Sequence, residues 1–250
     1  MRYYKISDSV PRSILFSWVN LSFTAGAINA GAFLSCQRFV SHVTGFITIA
    51  GLNLVHHSWQ EALSALSIPI YFIIGAMISA YLSENNQKSQ EPKLANNFAV
   101  AIGLVALIMA VEVIVGRIGL FGAFGEFENI QRDYVQLAIL CLACGIQNAA
   151  VTTATGASIR PTHLTGTTTD LGIGLVRALV KSGSSVGRRQ EKVVTMRRIY
   201  LIGSFVAGAI LSSYLCAEYD YFGFLLPFFM SMVTVFDSLR QVRVLKSGLG

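Results

Sequence analysis

The chain is 250 residues long, 53% of them hydrophobic and only 13% charged, with a mean hydropathy of +0.58. Soluble domains carry roughly 25% charged residues, so a water-soluble globule of this size would lack the polar groups to cover itself. Secreted disulfide scaffolds, disordered chains and nearly all soluble enzymes are excluded. The net charge of +6 taken alone suits a nucleic-acid binder, but its placement, described below, does not.

Met1–Arg12 is polar and leads into an apolar run too long for the core of a signal peptide. Ser13–Ser35, interrupted only by Asn20 and Asn29, is therefore expected as the first membrane span. Val43–Val55 follows, an apolar stretch too short for a full crossing that runs into His56, His57, Gln60 and Glu61. Leu66–Ser83 is the second expected span, with Pro69 in its first turn, where a missing N–H does no harm. Ala95–Gly116 is the third, and Glu112 near its far end is placed to snorkel to the interface.

The second half opens with Tyr134–Ala150, where Cys141 and Cys144 read as small packing residues because no His or acid lies within a turn. Cys36 and Cys216 carry no disulfide signature. Leu164–Val180 is long enough for a span but holds four threonines, Asp170 and Arg177. Ile199–Ala217 and Tyr221–Asp237 complete six spans. Val43–Val55 and Leu164–Val180 are then re-entrant or broken helices; counted as ordinary spans they would make eight.

With the N-terminus in the cytoplasm, sixteen of the nineteen Lys and Arg residues fall on the cytoplasmic side, and only Arg38, Arg117 and Arg132 fall outside. That asymmetry places both termini in the cytoplasm. It also assigns the basic run Lys181–Arg198, read as a loop, to the lipid surface or a partner rather than to nucleic acid.

The chain contains itself twice. Gly26-Ala-Ile-Asn29-Ala30 recurs 119 residues later as Gly145-Ile-Gln-Asn148-Ala149, and His42-Val-Thr44-Gly45 recurs 121 residues later as His163-Leu-Thr165-Gly166. Phe72-Ile-Ile-Gly75-Ala76 and Tyr81-Leu82 recur 133 residues later as Phe205-Val-Ala-Gly208-Ala209 and Tyr214-Leu215. The expected organisation is a polar segment 1–12, a first repeat 13–120, a connection 121–133, a second repeat 134–238 and a basic tail 239–250. With three spans per half the repeats are inverted, a plan that recurs in transporters, whose sites lie where the halves meet. With four spans per half they are parallel.

Each awkward segment opens with His-x-Thr-Gly. A Thr ahead of an apolar stretch can cap a helix, a following Gly admits close approach, and the partly positive helix start suits an anion or a carbonyl. The candidate site residues are therefore Thr44, Gly45, Thr165 and Gly166. His42 and His163 are candidate proton-responsive ligands, and Asn29 and Asn148 are helix-bridging amides. Asp170 is the sharpest, since an acid within membrane-facing sequence carries a cost. Its counterpart at the repeat offset is Ile49.

Phe39-Val-Ser-His42-Val-Thr-Gly45, Gly145-Ile-Gln-Asn148-Ala149 and His163-Leu-Thr-Gly166-Thr-Thr-Thr-Asp170-Leu-Gly172 resemble the YoaK family of bacterial multipass membrane proteins, over about Ser13 to Leu239. The first Thr-Gly in that family is often followed by Asn, where this chain has Phe46. The resemblance implies a bacterial inner membrane and six spans, and supplies no substrate or reaction.

The expectation is an all-α polytopic membrane protein of two repeats that acts as a transporter or channel for a small solute, an anion being favoured, at a site between the halves. No cofactor, metal or nucleic acid is implied. Membrane lipids and the solute are the expected partners, with self-association open. A non-transporting scaffold or regulatory subunit predicts dry Thr-Gly segments. A membrane-embedded enzyme, for which no catalytic motif speaks, predicts His163 and Asp170 facing one cavity.

Overall fold

The computed structural model describes residues 6–84, 91–126, 130–156, 159–180 and 185–247. Arg2, Lys5, Lys88 and Lys181 of the charge count, and parts of the expected connection and tail, lie outside the described residues. Those described form eight α-helices and one 3-10 turn: α1 (Arg12–Cys36), α2 (Val43–Val55), α3 (Trp59–Glu84), α4 (Glu91–Arg117), α5 (Ile130–Ala154), α6 (Leu164–Val180), α7 (Ser185–Tyr219), the turn Asp220–Phe224 and α8 (Leu225–Ser247).

The two short helices have the bounds that the sequence indicates, and three longer elements differ from expectation. α3 begins at Trp59, so Pro69 lies inside the helix rather than in its first turn. The run read as a basic loop is helical from Ser185, because Arg, Gln, Glu, Lys and Met all favour helix whatever their charge. At 35 residues α7 is about 50 Å long and exceeds a bilayer core of about 30 Å. The last helix starts at Leu225, after the 3-10 turn, not at Tyr221.

Among the described residues, four stretches are long and apolar enough to cross a membrane: Trp59–Ser83, Asn96–Arg117, Tyr134–Ala154 and Arg189–Arg243, the last holding both α7 and α8. Large apolar side chains cover the outside, among them Leu63, Ile73 and Met77 on α3, Ile210 on α7, and Phe229 and Phe236 on α8. Lipid, not water, suits such a surface. α1 is the central helix: Leu21, Ala25, Ala27 and Ile28 are almost wholly buried, and so are its polar Ser22 and Thr24. These polar groups face protein and are bonded, Ser22 Oγ donating to the Leu201 carbonyl (2.7 Å) and Asn20 Nδ2 to Met230 O and Thr234 Oγ1 (2.7 and 2.8 Å). Gln37, in the left-handed region at φ 52°, ends the helix by donating its N–H to Phe33 O.

The helices pair across the chain. α1 packs chiefly on α7, α5 on α3 and α4 on α8, while α2 lies on α3 and α6 on α7. The two largest pairings use the same device. A Cβ on Gly26 would sit 2.1 Å from the Phe205 carbonyl oxygen, and one on Gly208 would sit 2.1 Å from that of Phe23. A Cβ on Gly145 would sit 2.1 Å from Phe72 O, and one on Gly75 would sit 2.2 Å from Leu142 O. Backbone meets backbone at both crossings, which only glycine permits. These four glycines stand at the 119- and 133-residue offsets.

Contacts at the two ends of the bundle give each helix a direction. At one end, Arg197 Nη1 donates to the Ile6 and Asp8 carbonyls, Ser17 Oγ donates to Asp237 (2.7 Å), and Asn97 Nδ2 donates to Leu82 O (2.7 Å). At the other end, Tyr221 packs on Phe121 and Phe124, Arg117 stacks over Phe222 at 4.7 Å, and a Cβ on Gly125 would lie 3.2 Å from Leu34 O. Near that second end Gln136 Nε2, early in α5, donates to Glu112 (3.2 Å), which is wholly buried and does not snorkel. So α1, α4 and α7 run from the first end to the second, and α3, α5 and α8 run back.

Candidate functional site

The two short helices start inside the helical layer rather than at its rim. Asn29 Oδ1 accepts the Ser41 hydroxyl (3.1 Å) and backbone N–H (3.4 Å), and Asn148 Oδ1 accepts the Thr162 hydroxyl (3.0 Å). Ser41 therefore lies beside a residue seven positions before the end of α1, about 10 Å back along the axis. Asn148 lies six positions before the end of α5 and holds its loop in the same way. Cys141 adds a second tie to the first loop, its thiol donating to Val40 O at 3.1 Å. From these starts α2 returns toward the rim and turns at His56–Ser58 into α3. In the other half α6 returns toward the opposite rim.

The Thr-Gly residues do not play the capping part expected of them. His42 precedes α2 without a side-chain cap, and Thr44 is already its second residue, exposed, its carbonyl accepting the Thr48 hydroxyl (3.0 Å). Gly45 lies under the His42 ring, 3.1 Å from Nδ1 to where a Cβ would stand. Thr165 likewise falls within the first turn of α6, exposed, and its carbonyl accepts the Thr169 hydroxyl (3.0 Å). Gly166 has open space beside it. With α2 on α3 and α6 on α7, the structure brings the two Thr-Gly segments to separate places rather than into one pocket.

Each half-helix instead walls a cleft of its own, one at each end of the bundle. The first lies between α6, α7 and α1, lined by Ser22, Arg160, Pro161, Thr167, Asp170 and Arg198, and holds about 30 Å³, room for a water or two. Arg198 closes it: Nη2 reaches Asp170 Oδ2 at 3.4 Å and Nη1 donates to the Asp170 carbonyl at 3.1 Å. The second lies between α2, α3 and α5, lined by Gln37, Arg38, Phe46, Ile49, Asn53, Glu61 and Tyr134, and holds about 400 Å³. A side lobe of about 210 Å³ runs on past His42 and Gly45. The enclosing elements correspond at the repeat offsets, Thr167 to Phe46 and Asp170 to Ile49.

His163 lies at the start of α6, its carbonyl accepting the N–H and the hydroxyl of Thr167 (3.2 and 3.1 Å).

Arg38, Glu61 and Tyr134 are the residues that sequence reasoning missed. Arg38 counted only toward charge asymmetry, Glu61 only as the end of an apolar run, and Tyr134 only as the start of a span. Cys36, Cys141, Cys144 and Cys216 are all buried. Among the described residues no three His, Cys, Asp or Glu side chains gather as a metal would need.

The model for a protein of unknown function, DUF1275, matches residues 18–236. The chain belongs to the DUF1275 family. This is the family that includes YoaK-like proteins. The match runs from Trp18 on α1 to Phe236 on α8, so both short helices of this DUF1275 protein, and the residues named above for its two clefts, lie within it. No curated protein and no solved structure matches it significantly.

Proposed function

We propose that this integral membrane protein carries a small solute across a bacterial inner membrane by opening its two clefts in turn. Six helices cross, α1, α3, α4, α5, α7 and α8, as two inverted repeats of three, and α2 and α6 are re-entrant half-helices. The opposed directions of α1 and α3, and of α1 and α5, support that count: with α1 and α3 antiparallel, α2 begins and ends in the same half of the layer. The surplus of basic residues at the N-terminal end supports cytoplasmic termini. The observation that carries the reading is the pair of like-built clefts at opposite ends, one shut by Asp170–Arg198 and one open at Arg38 and Glu61. Two inverted halves in unlike states are the geometry of alternating access.

Single cysteines test this in a variant with Cys36, Cys141, Cys144 and Cys216 replaced. Asn53→Cys is expected to label rapidly with a membrane-impermeant maleimide from the periplasmic side, and Thr167→Cys slowly from the cytoplasmic side. Adding Arg198→Gln is expected to speed labelling at position 167 roughly two- to fivefold, as loss of a partly exposed ion pair allows. Protection of both positions from both sides would leave a dry scaffold in place of a transporter.

A further inference from the structure

Among the described residues, the lining of the open cleft holds an acid and a base that do not pair with each other. Arg38 Nη1 donates to the adjacent Gln37 carbonyl (3.1 Å), and among the described residues no ion pair joins Arg38 to Glu61, although both line the same cavity. Tyr134 lies within range of both charges. Opposite charges around a cavity of about 400 Å³ would draw together unless geometry held them apart, and here they sit on different elements, the loop after α1 and the first turn of α3. The apolar part of the lining includes Phe46, Ile49 and Leu137. The same lining includes Ala65, whose carbonyl lacks its usual helical donor because residue 69 is a proline.

A site with a guanidinium, a separate carboxylate, a spare carbonyl and an apolar wall is complementary to a particular chemistry. We infer that the open cleft binds a zwitterion, a small neutral amino acid, with its carboxylate on Arg38, its ammonium on Glu61 and its side chain against Phe46, Ile49 and Leu137. The planar guanidinium suits a carboxylate by its paired N–H donors. The carboxylate of Glu61 and the Ala65 carbonyl are acceptors only, as an ammonium requires. A simple anion would satisfy Arg38 and be repelled by Glu61, and a simple cation the reverse. The cavity volume lies within the range that encloses small ligands. The closed cleft repeats the composition, Asp170 with Arg198 and Arg160, but its acid and base meet, so there is no place for the ligand until they part.

This inference rests on the transport reading and names the solute class, so its test is made on binding alone. Full-length protein in detergent micelles is titrated by calorimetry with leucine, with 4-methylpentanoate, which lacks the ammonium, and with 3-methylbutylamine, which lacks the carboxylate. Leucine is expected to bind at least about tenfold more tightly than either analogue, since each loses one charge-assisted contact. Arg38→Gln is expected to bring leucine down to the level of the amine, and Glu61→Gln to the level of the acid. Both residues are exposed, so both variants are expected to fold, and unchanged melting temperatures without ligand check this. Equal affinity for leucine and both analogues, no binding of leucine, or indifference to both substitutions would overturn the inference. The Asn53→Cys labelling separates the two readings. A labelled cysteine with no leucine binding rejects the solute class and leaves transport standing, whereas protection of positions 53 and 167 from both sides rejects both.

Discussion

Gly26→Ala is expected to destabilise the protein by more than about 2 kcal/mol, and Gly145→Ala by a similar amount. The added methyl carbon would stand 2.1 Å from a backbone carbonyl oxygen in both cases, Phe205 O and Phe72 O. A contact of that length must open by more than 1 Å, and a main-chain atom cannot swing aside as a side chain can. The helices must separate along their whole crossing. In lipid this loss is not offset by hydrophobic association, because lipid tails are as apolar as the side chains, and close packing with interhelical hydrogen bonds supplies most of the attraction. The same substitution at Gly103 or Gly203, where a methyl group meets nothing within 4 Å, is expected to stabilise by about 0.5–1 kcal/mol through helix propensity. Reversible unfolding in mixed micelles, with the four variants side by side, measures the contrast. If all four behave alike, the crossings are not where the fold is held.

Asn148→Leu and Asn29→Leu are expected to cost about 1–2 kcal/mol each. The loss is local: Thr162 or Ser41 gives up its acceptor, and the loop that holds the start of a half-helix is released. Hydrogen exchange at residues 159–163 should quicken roughly tenfold in Asn148→Leu, while exchange in the centre of α5 stays as it is. A cycle pairing Asn148→Leu with Thr162→Ala should return a coupling near 0.6 kcal/mol, the usual size of such a bond in a membrane. A coupling of zero would mean that the loop is held by its backbone and by the buried Ile159 and Pro161. Uniform acceleration along the whole chain would mean that Asn148 supports the bundle rather than the loop.

The short apolar segments could be read from sequence to the residue because each is bounded by polar groups and turns, and Asn29 and Asn148 stood out because amides in apolar helices need partners. The caps could not be read, since a Thr just inside a helix start and a Thr just before it look alike in one dimension. The extent of α7 was hidden by charge: Arg189, Lys192, Arg197 and Arg198 count as loop residues in a search for apolar runs, though each favours helix. The open cleft was hidden for a different reason. Arg38, Glu61 and Tyr134 come from three separate segments with no spacing rule between them, and only the folding back of the loop after α1 makes them neighbours. The Asp170–Arg198 pair joins residues 28 apart and was hidden for the same reason.

The crosswise pairing of α1 with α7 bears on how the protein is made. α1 leaves the ribosome first, yet its main partner begins at Ser185, about 150 residues after Cys36. At synthesis rates of 5–20 residues per second the first helix waits about 10–30 s in the bilayer with Gly26, Ser22 and Asn20 unpartnered. Neither half holds both members of a glycine crossing, so a chain stopped after α4 has no folded stage to rest in. Newly made N-terminal halves should therefore depend on an insertase or on one another, and a gene split between the halves should yield protein only when both pieces are made together.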